Sequence, residues 1–366
     1  MKDCRSGRDK GSMFMTNWME YLRIATEHQA SDVFFVAGKA ACEKLEGQIR
    51  PMSEERLLPA HTEQIIREIY EAAGRNMDRF LAAGDDDFSF AVAGLARFRV
   101  NTYRQRGSMA AVIRLVSFDI PDWQKLHIPQ QVMDVADLAS GMVLVTGTAG
   151  SGKTTTQACI IDRINRTRDC HIVTLEDPIE FLHRHQKSIV SQREIAIDTQ
   201  DYLSALRACV RQAPDVILLG EMRDPETIHT AISAAETGHL VIATLHTKGA
   251  VNSLDRIVDA FPAQQQAQIR MQLSTVLRTV ISQQLLPDVS GGMIPACEIL
   301  QMNNAVRTMI RENRNHQIDT VIASGNREGM VSMDQSIARL YQEGKISQET
   351  ALHHADKPEQ LQRWMQ

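Results

Sequence analysis

The pattern of apolar and polar positions changes once along the chain, and it indicates two domains of different architecture. In the first part, helical spacing over 61–73 precedes two segments, 87–92 and 96–103, in which large apolar side chains occupy every second position. A period of two indicates strands that bury one face. We therefore predict a small α+β domain with an antiparallel sheet over residues 16–116.

The second part of the chain has a different pattern. Four short apolar runs occur at 142–146, 172–175, 216–219 and 240–245, and helical patterns separate them. Apolar strands that alternate with helices indicate a parallel sheet whose two faces are covered. We therefore predict an α/β domain with a parallel sheet over residues 141–290.

Three further segments complete the expected organisation. Residues 1–15 are polar and charged, which predicts a disordered extension. Residues 117–140 contain two prolines and are typical of a linker. The pattern toward the C-terminus is helical and polar, so we predict a helical subdomain over 291–366.

Composition limits the classes of protein that fit this pattern. The 366 residues include 40 Lys and Arg against 45 Asp and Glu, and the net charge of −5 argues against nucleic-acid binding through overall positive charge. No apolar stretch reaches the roughly 20 residues that span a bilayer, and the N-terminus has no leader-like segment. The six cysteines form no C-x-x-C pair. These features predict a reduced, cytoplasmic protein.

A glycine-rich segment after the first apolar run of the second domain carries the clearest chemical signal. Residues 147–154 match the phosphate-loop pattern G-x-x-x-x-G-K-[ST] between a predicted strand and a predicted helix. Backbone N–H groups of such a loop face phosphate oxygens, Lys153 reaches the β- and γ-phosphates, and the Thr154 hydroxyl can bind Mg²⁺. The predicted nucleotide-binding residues of this segment are Gly147, Thr148, Ala149, Gly150, Ser151, Gly152, Lys153, Thr154 and Thr155.

Carboxylates follow two of the other predicted strands. Glu176 and Asp177 end the second strand, and Glu221 ends the third, where Gly220 stands in place of the Asp that holds Mg²⁺ in many P-loop enzymes. The carboxyl ends of parallel strands face the ligand crevice. We interpret Glu221 as the group that orients or deprotonates the attacking water, and either Glu176 or Asp177 as a second group near Mg²⁺ or that water.

Two histidines lie at opposite ends of the fourth strand. His239 and His246 are separated by about 23 Å along an ideal strand, so the two side chains cannot hold one metal ion. His246, at the carboxyl end, is the better candidate for a phosphate contact. The spacing alone leaves a structural role equally open.

Taken together, these motifs resemble the secretion-ATPase superfamily. The phosphate loop, EDPIEF at 176–181, GEMRD at 220–224 and TGHLVIATLHT at 237–247 occur in the order and spacing of that superfamily. The chain looks more narrowly like the type IV pilus retraction ATPases, a similarity that RFRVN at 97–101 and AVRTMIRE at 305–312 support.

The resemblance implies an architecture, an activity and a set of partners. The expected fold is a PAS-like first domain, a RecA-like ATPase core and a ring-shaped homohexamer. The expected activity is hydrolysis of ATP with Mg²⁺, coupled to movement of pilin subunits through an inner-membrane platform protein. The expected location is therefore the inner face of the cytoplasmic membrane.

The resemblance also implies roles for individual residues. Glu176 matches the acidic-box glutamate and Glu221 the catalytic glutamate, and each contributes to Mg²⁺ binding through water beside Thr154. His239 and His246 match the two histidine-box positions, which implies a nucleotide contact for His239 and a catalytic role for His246. Arginines of the first domain act on the γ-phosphate because charge spreads over its oxygens in the transition state. The corresponding residues are Arg99, Arg106 and Arg114.

Alternative functions are an accessory retraction paralogue, a pilus assembly or type II secretion ATPase, and a nucleic-acid translocating motor. Assembly and secretion ATPases usually carry a further N-terminal domain and a cysteine-rich zinc insertion after the histidine box, whereas here Pro287 leads directly to Gly291. Two departures from the retraction pattern are also present: SDVFFVAG at 31–38 lacks a histidine of that segment, and 305–312 carries apolar replacements.

Overall fold

The computed structural model describes residues 17–365, apart from 46, 93 and 117–119. The chain divides into two compact units, Met1–Phe118 and Asp119–Gln366. The predicted disordered extension at 1–15 lies outside the described residues. None of the described helices is both long and apolar enough to cross a bilayer.

The first unit is a six-stranded antiparallel sheet with helices. Its strands are β1 (Asp32–Phe35), β2 (Cys42–Leu45), β3 (Gln48–Pro51), β4 (Asp85–Val92), β5 (Ala96–Gln105) and β6 (Ser108–Val116), and its helices are α1 (Trp18–Glu27), α2 (Pro59–Ala72) and α3 (Asp78–Ala83). The strand order is β3-β2-β1-β6-β5-β4. Apolar side chains such as Ile66 of α2 and Phe98 of β5 form one buried core. The predicted strand periodicity is thus explained by a sheet with one covered face.

The second unit is built on a seven-stranded sheet in the order β13-β12-β7-β11-β10-β8-β9. Its strands are β7 (Gly141–Thr146), β8 (His171–Glu176), β9 (Ile189–Glu194), β10 (Val216–Leu219), β11 (Leu240–Leu245), β12 (Leu277–Pro287) and β13 (Met293–Gln301). The strands are parallel except β13, which is antiparallel to β12. The sheet agrees with the predicted α/β fold class.

Helices cover both faces of this sheet and continue to the C-terminus. They are α4 (Gln130–Met133), α5 (Lys153–Thr167), α6 (Tyr202–Cys209), α7 (Pro225–Glu236), α8 (Ala250–Asp259), α9 (Ala263–Val276), α10 (Asn304–Arg311), α11 (Ile318–Ser324), α12 (Met333–Gln342), α13 (Gln348–His354) and α14 (Pro358–Trp364). Short 3₁₀ helices lie at Asp134–Asp137, Asn315–Gln317 and Asn326–Glu328. Apolar side chains of α5 and α7 are buried on the faces that contact the sheet, and their spacing along the chain is the helical pattern seen in the sequence.

The structure differs from the expected segment limits in two places. Much of the expected linker 117–140 belongs to the second unit, where Ile128, Val132 and Met133 are buried in a core shared with α5. The expected all-helical tail from 291 begins with β13, which pairs with β12 along its whole length. Both segments are buried by contacts with distant parts of the chain, and local periodicity does not report such contacts.

Candidate active site

The predicted chemical motifs meet at one edge of the seven-stranded sheet. β7, β11, β10 and β8 are neighbours in that order, so the segments that follow their carboxyl ends converge. A cavity of about 320 Å³ lies there. It is lined by Ala149, Gly150, Lys153, Thr154, Gln157, Ala158, Glu176, Asp177, Pro178, Glu180, Phe181, His183, Tyr202, Leu218, Gly220, Glu221, Arg223, Thr244 and His246.

The conformation of the phosphate loop requires glycine at two positions. Gly147 has φ 145° and Gly152 has φ 83°, values that side chains rarely allow. A Cβ atom on Gly147 would lie 2.3 Å from the backbone oxygen of Gln283, and one on Gly152 would lie 2.8 Å from Nε2 of the same residue. The loop is therefore wrapped closely against β12.

Gln283 of β12 holds the phosphate loop in place. Its Nε2 donates a hydrogen bond to the backbone oxygen of Ser151 (2.7 Å), and its Oε1 accepts one from the hydroxyl of Thr156 on α5 (2.8 Å). The side chain is buried. Sequence reasoning missed this residue because its contacts depend on β12 pairing with β7.

Lys153 begins α5 and points its ammonium group back at the loop. Nζ donates hydrogen bonds to the backbone oxygens of Gly147 (2.8 Å) and Thr148 (2.9 Å). Burial lowers its pKa, and the charge of Glu221 opposes that shift. The Ser151 hydroxyl is buried without a hydrogen-bond partner among the described residues. A partly desolvated cation and an unpaired hydroxyl at a helix N-terminus are suited to an anion such as a phosphate chain.

Glu176 ends β8 and is 8% exposed. Its Oε1 accepts hydrogen bonds from the Thr174 hydroxyl (2.6 Å) and from Nε2 of Gln192 (3.1 Å). Burial raises the pKa of Glu176 to about 7, although both hydrogen bonds favour the charged form. A carboxyl group with a pKa near neutrality is suited to proton transfer.

Glu221 follows β10 and is equally buried, at 8% exposed. The Arg223 guanidinium lies 2.6 Å from its Oε1, and His246 Nε2 lies 3.3 Å from its Oε2. The Thr244 hydroxyl donates a hydrogen bond to the backbone oxygen of Gly220. This bond links the carboxyl ends of β10 and β11 next to Glu221 and His246. The structure therefore brings Glu221 and His246 together.

Tyr202, at the start of α6, occupies the space beside Gly220. A Cβ atom on Gly220 would lie 2.7 Å from the Tyr202 hydroxyl and 3.1 Å from the backbone oxygen of Leu175. Burial, followed by the charges of Glu221, Asp177 and Glu176, raises the pKa of the Tyr202 phenol. A side chain at 220 would therefore require the Tyr202 hydroxyl to move.

Several predicted residues lie away from the cavity. His239 precedes β11 at the opposite end from His246, and its Nδ1 lies 2.9 Å from the backbone oxygen of Ala234. This placement gives no support to His239 as a nucleotide contact within this cavity, because the strand separates the two histidines. Of the predicted loop residues, Ala149, Gly150, Lys153 and Thr154 line the cavity, whereas Gly147, Thr148, Ser151, Gly152 and Thr155 do not.

The three predicted arginines belong to the first unit and do not form one cluster. Arg99 of β5 and Arg114 of β6 are cross-strand partners, and Arg114 Nε donates a hydrogen bond to Asp32 (2.9 Å). Arg106 lies in the turn between β5 and β6, seven residues after Arg99 in the sequence. Arg99 and Arg114 line the same shallow cavity on the sheet.

The comparisons with known proteins agree with this geometry. The family described as type II/IV secretion system protein matches residues 9–364. The type IV pilus retraction ATPase PilT of Pseudomonas aeruginosa is 41% identical over 93% of this chain and 98% of that protein. A twitching motility protein of Neisseria gonorrhoeae is 48% identical over 75% of this chain and 74% of that protein.

A solved structure is also similar over nearly its whole length. The crystal structure of the pilus retraction motor PilT with bound ADP is 42% identical, with a TM-score of 0.85, over 94% of this chain and 99% of that one. The matched sequence family and the shared fold lead to one conclusion: the chain belongs to the type II/IV secretion system protein family.

Proposed function

We propose that this chain is an ATPase motor that retracts type IV pili. The observation that carries the proposal is a phosphate loop and two buried glutamates in one cavity. The similarity to a pilus retraction ATPase over 93% of the chain supports the biological process. ATP is the substrate, and the work of hydrolysis is coupled to removal of pilin subunits, which supports twitching motility.

The residues of the cavity divide the chemistry between them. The loop amides and Lys153 bind the β- and γ-phosphates and stabilise the charge that develops on the γ-phosphoryl group. Glu221 orients or deprotonates the attacking water, with His246 beside it. Glu176 is a second acid–base group, because its pKa of about 7 lets it exchange a proton near neutrality.

The oxygen donors of the cavity fit a magnesium ion bound with ATP. Mg²⁺ usually keeps several waters and binds through few protein oxygens together with substrate phosphates. Thr154, whose hydroxyl is at the cavity wall, would bind the ion directly, and the carboxylates of Glu176 and Glu221 would hold it through water. When bound, Mg²⁺ would neutralise charge on the phosphates.

Assembly of the motor is the second part of the proposal. We propose a homohexamer in which an arginine of the first unit, from the set Arg99, Arg106 and Arg114, acts on the γ-phosphate. Arg114 is suited to this role because its side chain is 64% exposed despite its bond to Asp32. The hexamer works at the inner face of the cytoplasmic membrane on a platform protein, through which it acts on pilin.

A structural detail disfavours the assembly and type II secretion alternatives. Residues 279–287 of β12 pair with residues 293–301 of β13, and only residues 288–292 connect the two strands. That connection has no room for the cysteine-rich insertion expected of those ATPases. The acidic net charge of −5 likewise disfavours a nucleic-acid motor.

Deletion of the gene in the organism that encodes the chain tests the process. We expect more surface pili that do not retract, and loss of twitching, with rescue by the unmodified gene and no rescue by Lys153→Ala. Cells without pili would instead indicate an assembly ATPase. Normal retraction in the deletion strain would indicate an accessory paralogue.

A further inference from the structure

One side chain outside the predicted motifs contacts the candidate site at three points. Gln192 lies on β9, the edge strand next to β8, directly opposite Thr174. Its Nε2 donates hydrogen bonds to Oε1 of Glu176 (3.1 Å) and to the backbone oxygen of Phe181 (2.9 Å), and its Oε1 accepts one from the His183 amide (2.8 Å). All three partners belong to the segment 176–183.

These partners determine the orientation of the Gln192 amide. Two of them, a carboxylate oxygen and a backbone oxygen, only accept hydrogen bonds, whereas the third is a donor. Rotating the amide by 180° would place its oxygen against two acceptors and its NH₂ group against a donor. Only the side-chain amide of glutamine, in this orientation, satisfies all three contacts.

We propose that Gln192 is a positioning residue for ATP hydrolysis, which holds the Glu176 carboxylate and the loop 177–183 in their working arrangement. The inference rests on the proposed function, in which Glu176 acts in the cavity. Asp177, Phe181 and His183 line that cavity, so the contacts of Gln192 also shape its wall.

The geometry follows from the register of two strands. Thr174 and Glu176 are two residues apart on β8, so their side chains lie on the same face, and Gln192 is the partner of Thr174 on β9. The Thr174 hydroxyl and the Gln192 amide therefore reach the same carboxylate oxygen. These two donors favour the charged form of Glu176.

Other groups around Glu176 act on its charge as well. Glu180 and Glu194 raise its pKa, in addition to the larger effect of burial. The remaining titratable groups of the cavity are Lys153, Asp177, His183, Tyr202, Glu221, Arg223 and His246. Removal of the Gln192 donor takes away one of the two hydrogen bonds that hold the Glu176 carboxylate oxygen in place.

The test uses Gln192→Met and Gln192→Glu in the full chain, with Gln186→Met as the matched control. The side chain of Gln186 is exposed. Its backbone N–H donates a hydrogen bond to Oδ1 of Asn165, and the substitution keeps this contact. Methionine keeps the length of the side chain but donates no hydrogen bond, and glutamate keeps the shape while adding a negative charge. The kcat and KM of ATP hydrolysis are measured at pH 7, and ADP affinity is measured by calorimetry.

We expect Gln192→Met to lower kcat at pH 7 about ten-fold, with KM and ADP affinity within about two-fold of the unmodified protein. Gln192→Glu, which places an oxygen acceptor against the Glu176 carboxylate and the Phe181 oxygen, lowers kcat at least as much. Gln186→Met leaves kcat and KM unchanged. A Gln192→Met protein with an unchanged kcat would overturn the inference, and so would a parallel loss of ADP affinity, which indicates general disruption.

Two reference proteins separate this inference from the proposed function. Absence of hydrolysis by the unmodified protein would overturn the proposed function itself. If the unmodified protein hydrolyses ATP and Glu176→Gln does so at the same rate, the proposed role of Glu176 fails, and the inference fails with it. If Glu176→Gln is slow and Gln192→Met is normal, the inference fails alone.

Discussion

Glu176 and Glu221 are the same residue type at the same depth, yet their surroundings differ. Each is 8% exposed; Glu176 is the last residue of β8, and Glu221 follows the adjacent strand β10. Glu221 has cationic neighbours in Arg223 and in His246 when it is protonated. Glu176 has the neutral donors Thr174 and Gln192 and carboxylates nearby.

The difference shows that burial alone does not determine how a carboxylate behaves. Around Glu176, neutral hydrogen bonds offset only part of the desolvation, and its pKa rises to about 7. Around Glu221, the guanidinium of Arg223 pairs directly with the carboxylate. The first arrangement is suited to a proton exchanged near neutrality, and the second is a carboxylate held by an adjacent cation.

Replacing Lys153 with alanine is the change with the largest expected effect, because in the proposed function both carboxylates act on a phosphate chain that this ammonium holds. We expect ATP hydrolysis to fall by at least about 100-fold. Steady-state phosphate release measures it, with the exposed Lys187→Ala as control. Turnover at the unmodified rate would show that the phosphates bind elsewhere.

Glu221→Gln separates the roles of the two carboxylates. Loss of a general base lowers rates by about 10²–10⁴, so we expect single-turnover hydrolysis to stall while ATP stays bound. Glu226→Gln on the exposed surface of α7 is the matched control. Normal single-turnover kinetics in Glu221→Gln would assign the base to Glu176 instead.

Glu176→Gln tests how much the buried, charged carboxylate of Glu176 lowers the free energy of unfolding. Because the folded pKa of about 7 lies above the ordinary 4.5, charging this group opposes folding as pH rises from about 4.5 to 7. Glutamine does not titrate, so we expect the variant to be more stable than the unmodified protein at pH 8, by about 3 kcal/mol, and equally stable near pH 4. Thermal unfolding at both pH values measures the difference.

The control for that experiment is Glu349→Gln, which changes an exposed carboxylate on α13. Its stability relative to the unmodified protein should vary little over the same pH range. A stability gain in Glu176→Gln that is independent of pH would show that packing, rather than ionisation, distinguishes the two glutamates.

Gly220→Ala has the smallest expected effect, and it tests the packing between the two carboxylates. The added Cβ would meet the Tyr202 hydroxyl at 2.7 Å, so we expect a loss of about 1–3 kcal/mol in the free energy of unfolding. Tyr202→Phe in the same chain removes the hydroxyl and should restore part of that loss. Equal stabilities of Gly220→Ala with and without Tyr202→Phe would place the strain at Leu175 instead.

Sequence reasoning predicted the elements that have strong local signals. The strands β10 and β11 match the predicted limits, because their apolar runs are local features. It did not predict β12, which follows α9 without a break and mixes polar and apolar residues. It also did not identify the burial of 128–133, because that depends on contacts with α5.

The same limit applies to the site. Glu176, Glu221 and Lys153 were predicted because they follow strands in recognisable patterns, and the structure places all three around one cavity. Gln192 and Gln283 carry no motif that periodicity would detect. Each acts through a neighbouring strand, so its role exists only once the order of strands in the sheet is known.

The sequence by itself determined the chemistry that is available: a glycine-rich loop that can wrap a phosphate, a lysine at a helix start and two glutamates at strand ends. Those features are local, since they depend on backbone conformations and residue types within a few positions. The tertiary structure decided how the two glutamates differ. Pairing of β8 with β9 places Gln192 beside Glu176, and joining of β10 to β11 places His246 beside Glu221. Charge and burial act through space, and only the folded chain specifies the distances involved.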